Sequence, residues 1–182
     1  KNPPRPTEQG RATSADVLRR VADRAAESGL TIGLELSNRY DTNQLNTAAQ
    51  ALAMIDVIDR PNVKVHLDTY HMSIEETDVV SPVLACGDRL GYVHIGESHR
   101  GYLGTGNVDF TQFFRTLAHI GYTGPVIFES FSSVVVAPEL SNALCIWRVP
   151  WDDSVDLAHK ARRFIQTHLE DAALQAAMAS KA

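Results

Sequence analysis

Apolar residues recur along this chain with two alternating periods, and the alternation predicts both the elements and their order. Val17, Leu18, Val21, Ala22 and Ala25 form one helical stripe, opened by a capping box on Thr13 and Asp16 and closed at Gly29. A short apolar run follows at 31–36. The pattern then repeats: helix over 46–58, strand at 63–67, helix over 79–86, strand at 91–95. Phe110, Phe113, Phe114, Leu117 and Ile120 return to helical spacing, closed by Gly121, and 125–129 is the last short run. A final helix is predicted over 154–169, with Val155, Ala158, Ala161 and Ile165 facing inward. Residues 1–13, with Pro3, Pro4, Pro6 and Gly10, read as an irregular lead-in, and 171–182 as an Ala-rich tail.

Four short runs joined through helices predict βα units in a parallel sheet, because parallel neighbours need a crossover between them. No linker or low-complexity segment divides the 182 residues, so a single domain is expected over 1–182. A complete (βα)8 barrel takes about 250 residues and at least about 200. The length therefore allows half a barrel or an open doubly wound sheet. The chain opens on Lys1 and not on Met, which fits a fragment or a processed chain.

Composition narrows the class. The chain is 44% hydrophobic and 21% charged, the make-up expected of a soluble globular domain; no apolar stretch approaches a membrane span, and residues 1–13 do not read as a signal peptide. A net charge of −5 without a basic block argues against nucleic acid as a partner. Two cysteines, Cys86 and Cys145, are too few for a disulfide scaffold or a zinc ribbon, and a reducing compartment, the cytoplasm, is expected.

The candidate chemistry lies where the strands end. Glu35, Asp68, His94 and Glu129 each stand at or just past the C-terminal end of a run, separated by 33, 26 and 35 residues, about one βα unit each. The C-terminal ends of parallel strands form one rim, where α/β proteins place their active sites. Taken singly, a charged residue leaving a strand is commonly the start of a solvated loop. Four in succession on one rim outweigh that reading. Three converging carboxylates would raise one another's pKa unless a cation sat among them, and an O,O,O,N donor set suits Mn²⁺, Mg²⁺ or Co²⁺.

Secondary candidates surround the set: Asn38, Arg39, Tyr40 and Asp41 after Glu35, His71 after Asp68, and Arg100 after His94. The loop GESHRGYLGTGN is rich in glycine but lacks a dinucleotide fingerprint. His66 reads as a core or supporting histidine, and His99, His119, His159 and His168 as surface residues. Trp147 and Trp151 read as an aromatic patch under the last helix. The run Val134, Val135, Val136 reads as a lid or a subunit contact.

The segments GLELSNRYD, VHLDTYHMSIEE, YVHIGESHRGYLGTGNVDF and VIFESF resemble those of the D-tagatose/D-psicose (allulose) 3-epimerase group, within the xylose isomerase-like sugar isomerase/epimerase superfamily. The resemblance implies the C-terminal half of a (βα)8 barrel, strands five to eight, with the N-terminal half missing. It implies one Mn²⁺ or Co²⁺ held by Glu35, Asp68, His94 and Glu129. It implies a homo-oligomer, a sugar substrate, contacts from His71 and Arg100 to the carbonyl end of a ketose, and Asp41 in place of a substrate-binding acid that is usually Glu. Glu35 and Glu129, on the outer two strands, would then act by turns as general base and acid in inverting C3. Aldose–ketose and hydroxypyruvate isomerases of the same superfamily, and an inactive half-barrel that serves binding or assembly, are the alternative readings.

Overall fold

A computed structural model describes residues 4–179. Eleven α and β elements follow one another: α1 (Glu8–Ala26), β1 (Ile32–Glu35), α2 (Ala48–Ile58), β2 (Val63–Asp68), α3 (Thr69–Glu75), α4 (Ser81–Cys86), β3 (Leu90–Ile95), α5 (Phe110–His119), β4 (Val126–Phe128), α6 (Pro138–Ala143) and α7 (Ser154–Ala179). All four strands are parallel and lie in chain order, β1-β2-β3-β4, with Glu35 opposite His66, Asp68 opposite His94 and His94 opposite Ile127. A doubly wound sheet reverses its strand order at a switch point. This sheet does not, so the winding is that of a barrel and the doubly wound alternative falls.

Polar side chains with short reach start most of the helices. The hydroxyl of Thr7 accepts the Gly10 N–H at 3.0 Å, Thr47 caps α2, and the carboxylates of Asp68 and Asp109 cap α3 and α5. Alternation along the strands sends Leu34, Val63, Val65, Leu67, Val93 and Ile95 into the helical layer, where they pack with Ile55, Ile58, Val83, Phe113, Phe114, Leu117 and Ile165. The other face carries Gly33, Lys64, His66, Gly91 and Tyr92. A Cβ on Gly91 would lie 2.5 Å from that of Lys64, so the strands close up there only because residue 91 has no side chain.

Several expectations are corrected. Thr7, not Thr13, caps α1, so the helix begins inside the expected lead-in, and its buried face is Ala15, Ala22 and Ala25 while Val17 and Val21 stand 42% and 44% exposed. The last helix continues to Ala179 instead of ending near 169, because its alanines are strong helix formers and Ala172 is buried; residues 180–182 lie outside the described chain. Its inward stripe is Leu157, Ala161, Ile165 and Ala172, with Val155 and Ala158 turned to solvent. The stretch 79–86 is helical only over Ser81–Cys86, and two short helices, α3, nucleated by its Asp68 cap, and α6, which starts on Pro138, stand where the sequence pattern predicts none. His168 is half-buried, its ring 4.1 Å from that of Phe164. Trp151 is buried while Trp147 is 66% exposed, and Val134 and Val135 are exposed. Among the described residues no helix is long and apolar enough to cross a membrane.

Candidate metal centre

The strand ends converge as their spacing predicts. One ligand atom each from Glu35, Asp68, His94 and Glu129 lies within 4.8 Å of the others. The imidazole is central: His94 Nδ1 is 3.2 Å from Glu35 Oε1, 3.6 Å from Glu129 Oε2 and 3.8 Å from Asp68 Oδ2. Thr69, whose Oγ1 donates to the Gly96 carbonyl at 2.7 Å and accepts the Gly96 N–H at 2.9 Å, ties the ends of β2 and β3 together beneath this cluster.

Electrostatics follow from the crowding. The carboxylates of Asp68 and Glu35 beside His94 raise its pKa to about 9, so the imidazole is a cation when no metal is bound. Burial alone would raise the Asp68 carboxyl, but His94, Arg100 and His71 outweigh it and hold Asp68 at about 2. For Glu35, too, burial is opposed by His94 and His66, and the result lies below the ordinary carboxylate value. Burial pushes His66 down to about 4, leaving it neutral.

Asp68 provides the test of fit for a cation. It is fully buried; its Oδ1 accepts the Tyr70 N–H at 2.7 Å, while its Oδ2 is shielded from solvent and has no hydrogen-bond partner. Its opposite charges, His94 Nδ1 at 3.8 Å and Arg100 Nη1 at 3.7 Å, keep it ionised but stand beyond hydrogen-bond distance, so the buried oxygen is left under-coordinated. A divalent ion among three carboxylates and an imidazole would satisfy it, and the oxygen-rich set fits Mn²⁺, Co²⁺ or Mg²⁺.

Around these four side chains, Arg100 and His71 form a second arc. Arg100 Nη1 lies 2.6 Å from Glu129 Oε2 and 3.7 Å from Asp68 Oδ2, and its guanidinium stacks 3.8 Å over the Tyr70 ring. Its backbone sits in the left-handed region at φ 61°. His71 is buried, with Nε2 4.0 Å from Asp68 Oδ2 and 3.4 Å from Arg100 Nη2. Asp41 reaches this arc through Asn38, whose Nδ2 donates to Asp41 Oδ2 at 2.7 Å. Arg39 instead pairs with Glu75 at the surface, and Tyr40 is 66% exposed, so neither joins the arc. His66 supports from below, edge-on to His94 with 4.2 Å between ring centroids.

Sequence reasoning did not single out Glu97 or Tyr70. Glu97 is fully buried and binds the glycine-rich loop from within: Oε1 accepts the N–H of Ser98 at 2.8 Å and of Val108 at 3.3 Å, and Oε2 that of Gly104 at 2.9 Å. A Cβ on Gly106 would stand 2.4 Å from Glu97 Oε1, so the loop closes round the carboxylate only with glycine there. The signal was in the text: an acid amid glycines and small polar residues, with a strand just before it.

A singly wound parallel sheet carrying acids and a histidine at its C-terminal rim defines a barrel-type α/β protein whose rim donors fit a metal ion. Residues 1–172 match the family described as xylose isomerase-like TIM barrel, and the chain belongs to that family. It is 60% identical over 158 residues to an L-ribulose 3-epimerase of Methylomonas sp. (strain DH-1), covering 87% of this chain and 55% of the relative. It is 57% identical over 163 residues to a ketose 3-epimerase of Arthrobacter globiformis, covering 90% and 56%. Among solved structures, an L-ribulose 3-epimerase superposes with a TM-score of 0.95 at 47% identity, covering 98% of this chain and 60% of that one. A Methylomonas D-allulose 3-epimerase in complex with D-allulose gives a TM-score of 0.90 at 57% identity, covering 92% and 58%. The chain thus spans little more than half the length of these relatives.

Proposed function

We propose that this chain is the metal-holding half of a ketose 3-epimerase, its four strands standing fifth to eighth in a (βα)8 barrel. The observation that carries the reading is the convergence of Glu35, Asp68, His94 and Glu129 on one point of the rim. Glu35, Asp68, His94 and Glu129 are the residues that hold the ion, Mn²⁺ by preference. When bound, the ion supplies Lewis-acid stabilisation of negative charge on the substrate's oxygens.

The rest is done by side chains. Inversion at C3 needs a base on one face of the carbon and an acid on the other. Glu35 and Glu129 come from the first and last strands of the sheet and flank the rim from opposite ends. One removes the C3 proton, the other returns a proton to the opposite face, and the roles exchange in the reverse direction. Arg100, bonded to Glu129 Oε2, keeps that carboxylate aimed, and Arg100 and His71 together face the carbonyl end of the sugar. Asp41 binds a sugar hydroxyl. Asp68, capping α3 with one oxygen, offers the other to the ion.

The test is an NMR assay of the Mn²⁺-loaded chain with D-fructose, D-tagatose and L-ribulose in D₂O. C3 epimers carrying deuterium at C3 are expected. An aldose product moves the chain to the isomerases, and bound Mn²⁺ without turnover makes it a binding or assembly module. In this reading the outer edges of β1 and β4 are closed by further strands, so the isolated chain associates with itself. Sedimentation showing a stable monomer at micromolar concentration contradicts that expectation.

A further inference from the structure

The loop after β1 does something for His71 that its sequence did not announce. His71 Nδ1 receives two donors from a single residue: the backbone N–H of Asn38 at 3.0 Å and the side-chain Nδ2 of Asn38 at 3.1 Å. The orientation of the Asn38 amide is fixed by its other partners. Nδ2 donates to Asp41 Oδ2 at 2.7 Å and Oδ1 accepts the Tyr40 N–H at 2.9 Å, so exchanging N and O would set two acceptors and two donors face to face. A nitrogen that accepts two N–H groups carries no proton. The neutral ring must then be protonated at Nε2, the nitrogen that faces Arg100 and Asp68.

We propose that Asn38 is a positioning residue that locks His71 in the Nε2–H tautomer, so that His71 and Arg100 present two converging N–H donors to an oxygen that bears no hydrogen. Arg100 Nη2 also approaches His71 Nε2, but at 3.4 Å, against 3.0 and 3.1 Å for the two donors at Nδ1; the closer pair decides the tautomer, and with Nε2 protonated the Arg100 and His71 N–H groups turn to a shared acceptor. Resting on the epimerase reading, the oxygen selected is the carbonyl oxygen of an open-chain ketose, whose negative charge grows as the neighbouring carbon loses its proton. The same amide anchors Asp41, so one side chain sets both a donor and an acid along the substrate. Asn38 is buried, 3% exposed, which keeps water from competing for His71 Nδ1.

Two-bond ¹⁵N–¹H correlation spectra of the ¹⁵N-histidine-labelled chain at neutral pH, free of paramagnetic metal, read the tautomer directly, with His71→Gln assigning the signal. An unprotonated Nδ1 and a protonated Nε2 are expected in the unaltered chain. A protonated Nδ1, alone or together with Nε2, overturns the proposal without reference to any variant. Asn38→Asp exchanges the Nδ2 donor for an acceptor and is expected to put a proton on Nδ1; a folded Asn38→Asp chain with an unchanged tautomer overturns the part assigned to the side chain. In the turnover assay Asn38→Asp is expected to lower kcat about 10-fold or more with a smaller change in KM. Confirmed tautomer with no turnover by the unaltered chain refutes the epimerase reading and leaves the Asn38 lock standing.

Discussion

Leu67 and Asp68 are neighbours in β2 and both are fully buried, yet they are buried by opposite things. Leu67 points into the helical layer with Val65 and Val93, where removal from water stabilises the fold by about 2 kcal/mol per side chain. Asp68 turns the other way, toward His94, Arg100 and the two glutamates, where burial destabilises and only opposite charge compensates. The period-two geometry of a strand thus assigns stability to one face and chemistry to the other, with a single residue as the step between them.

This contrast can be broken from either side. Glu35→Gln or Glu129→Gln should reduce epimerisation by about 100-fold or more while the far-UV circular dichroism and unfolding midpoint stay in place. Activity above a few per cent in either variant sinks the acid–base roles. Leu67→Ala should do the reverse, costing about 2–5 kcal/mol in denaturant unfolding. Asp68→Asn should weaken Mn²⁺ binding by at least about 10- to 100-fold in calorimetric titration, with a small loss of stability, since Oδ1 can still cap α3.

The smallest effect concerns protons. Because the His94 pKa lies at about 9, above its ordinary value, the metal-free imidazole is charged at neutral pH and must give up its proton to bind an ion. Loading at neutral pH should release close to one proton, visible as a dependence of the titration heat on buffer, and affinity should rise with pH until about 9. For the metal-free fold the sign is opposite. The stability that charged His94 contributes is present below the unfolded histidine value of about 6.5 and is lost as pH climbs through about 9.

The four converging side chains and all four strands were legible because each rests on a rule of local pattern: apolar alternation, then a polar donor residue where the strand stops. The βα units alone left the strand order open between half a barrel and a doubly wound sheet; the resemblance implied the barrel, and the order β1-β2-β3-β4 decides for it. Less legible were features set by tertiary contact. Val17 and Val21 sit on the apolar stripe of α1, but the narrow alanine side of that stripe is what approaches the neighbouring helix. Helix α3 was hidden because its seven residues are too few to show a period. Asn38 and Glu97 act through hydrogen bonds whose partners lie up to 33 residues away or round a folded loop, and no spacing rule encodes those.

Arg100 holds its left-handed backbone with a β-carbon in place, where a glycine would do so freely, at an energetic disadvantage of about 1 kcal/mol or more. The Ser130 hydroxyl bonded to its carbonyl and the Glu97 carbonyl bonded to its N–H hold the twist from both sides. The turn is therefore a small spring kept wound by its neighbours. Replacing residue 100 with glycine would let it rest, and the rim would lose the guanidinium for which that tension is maintained.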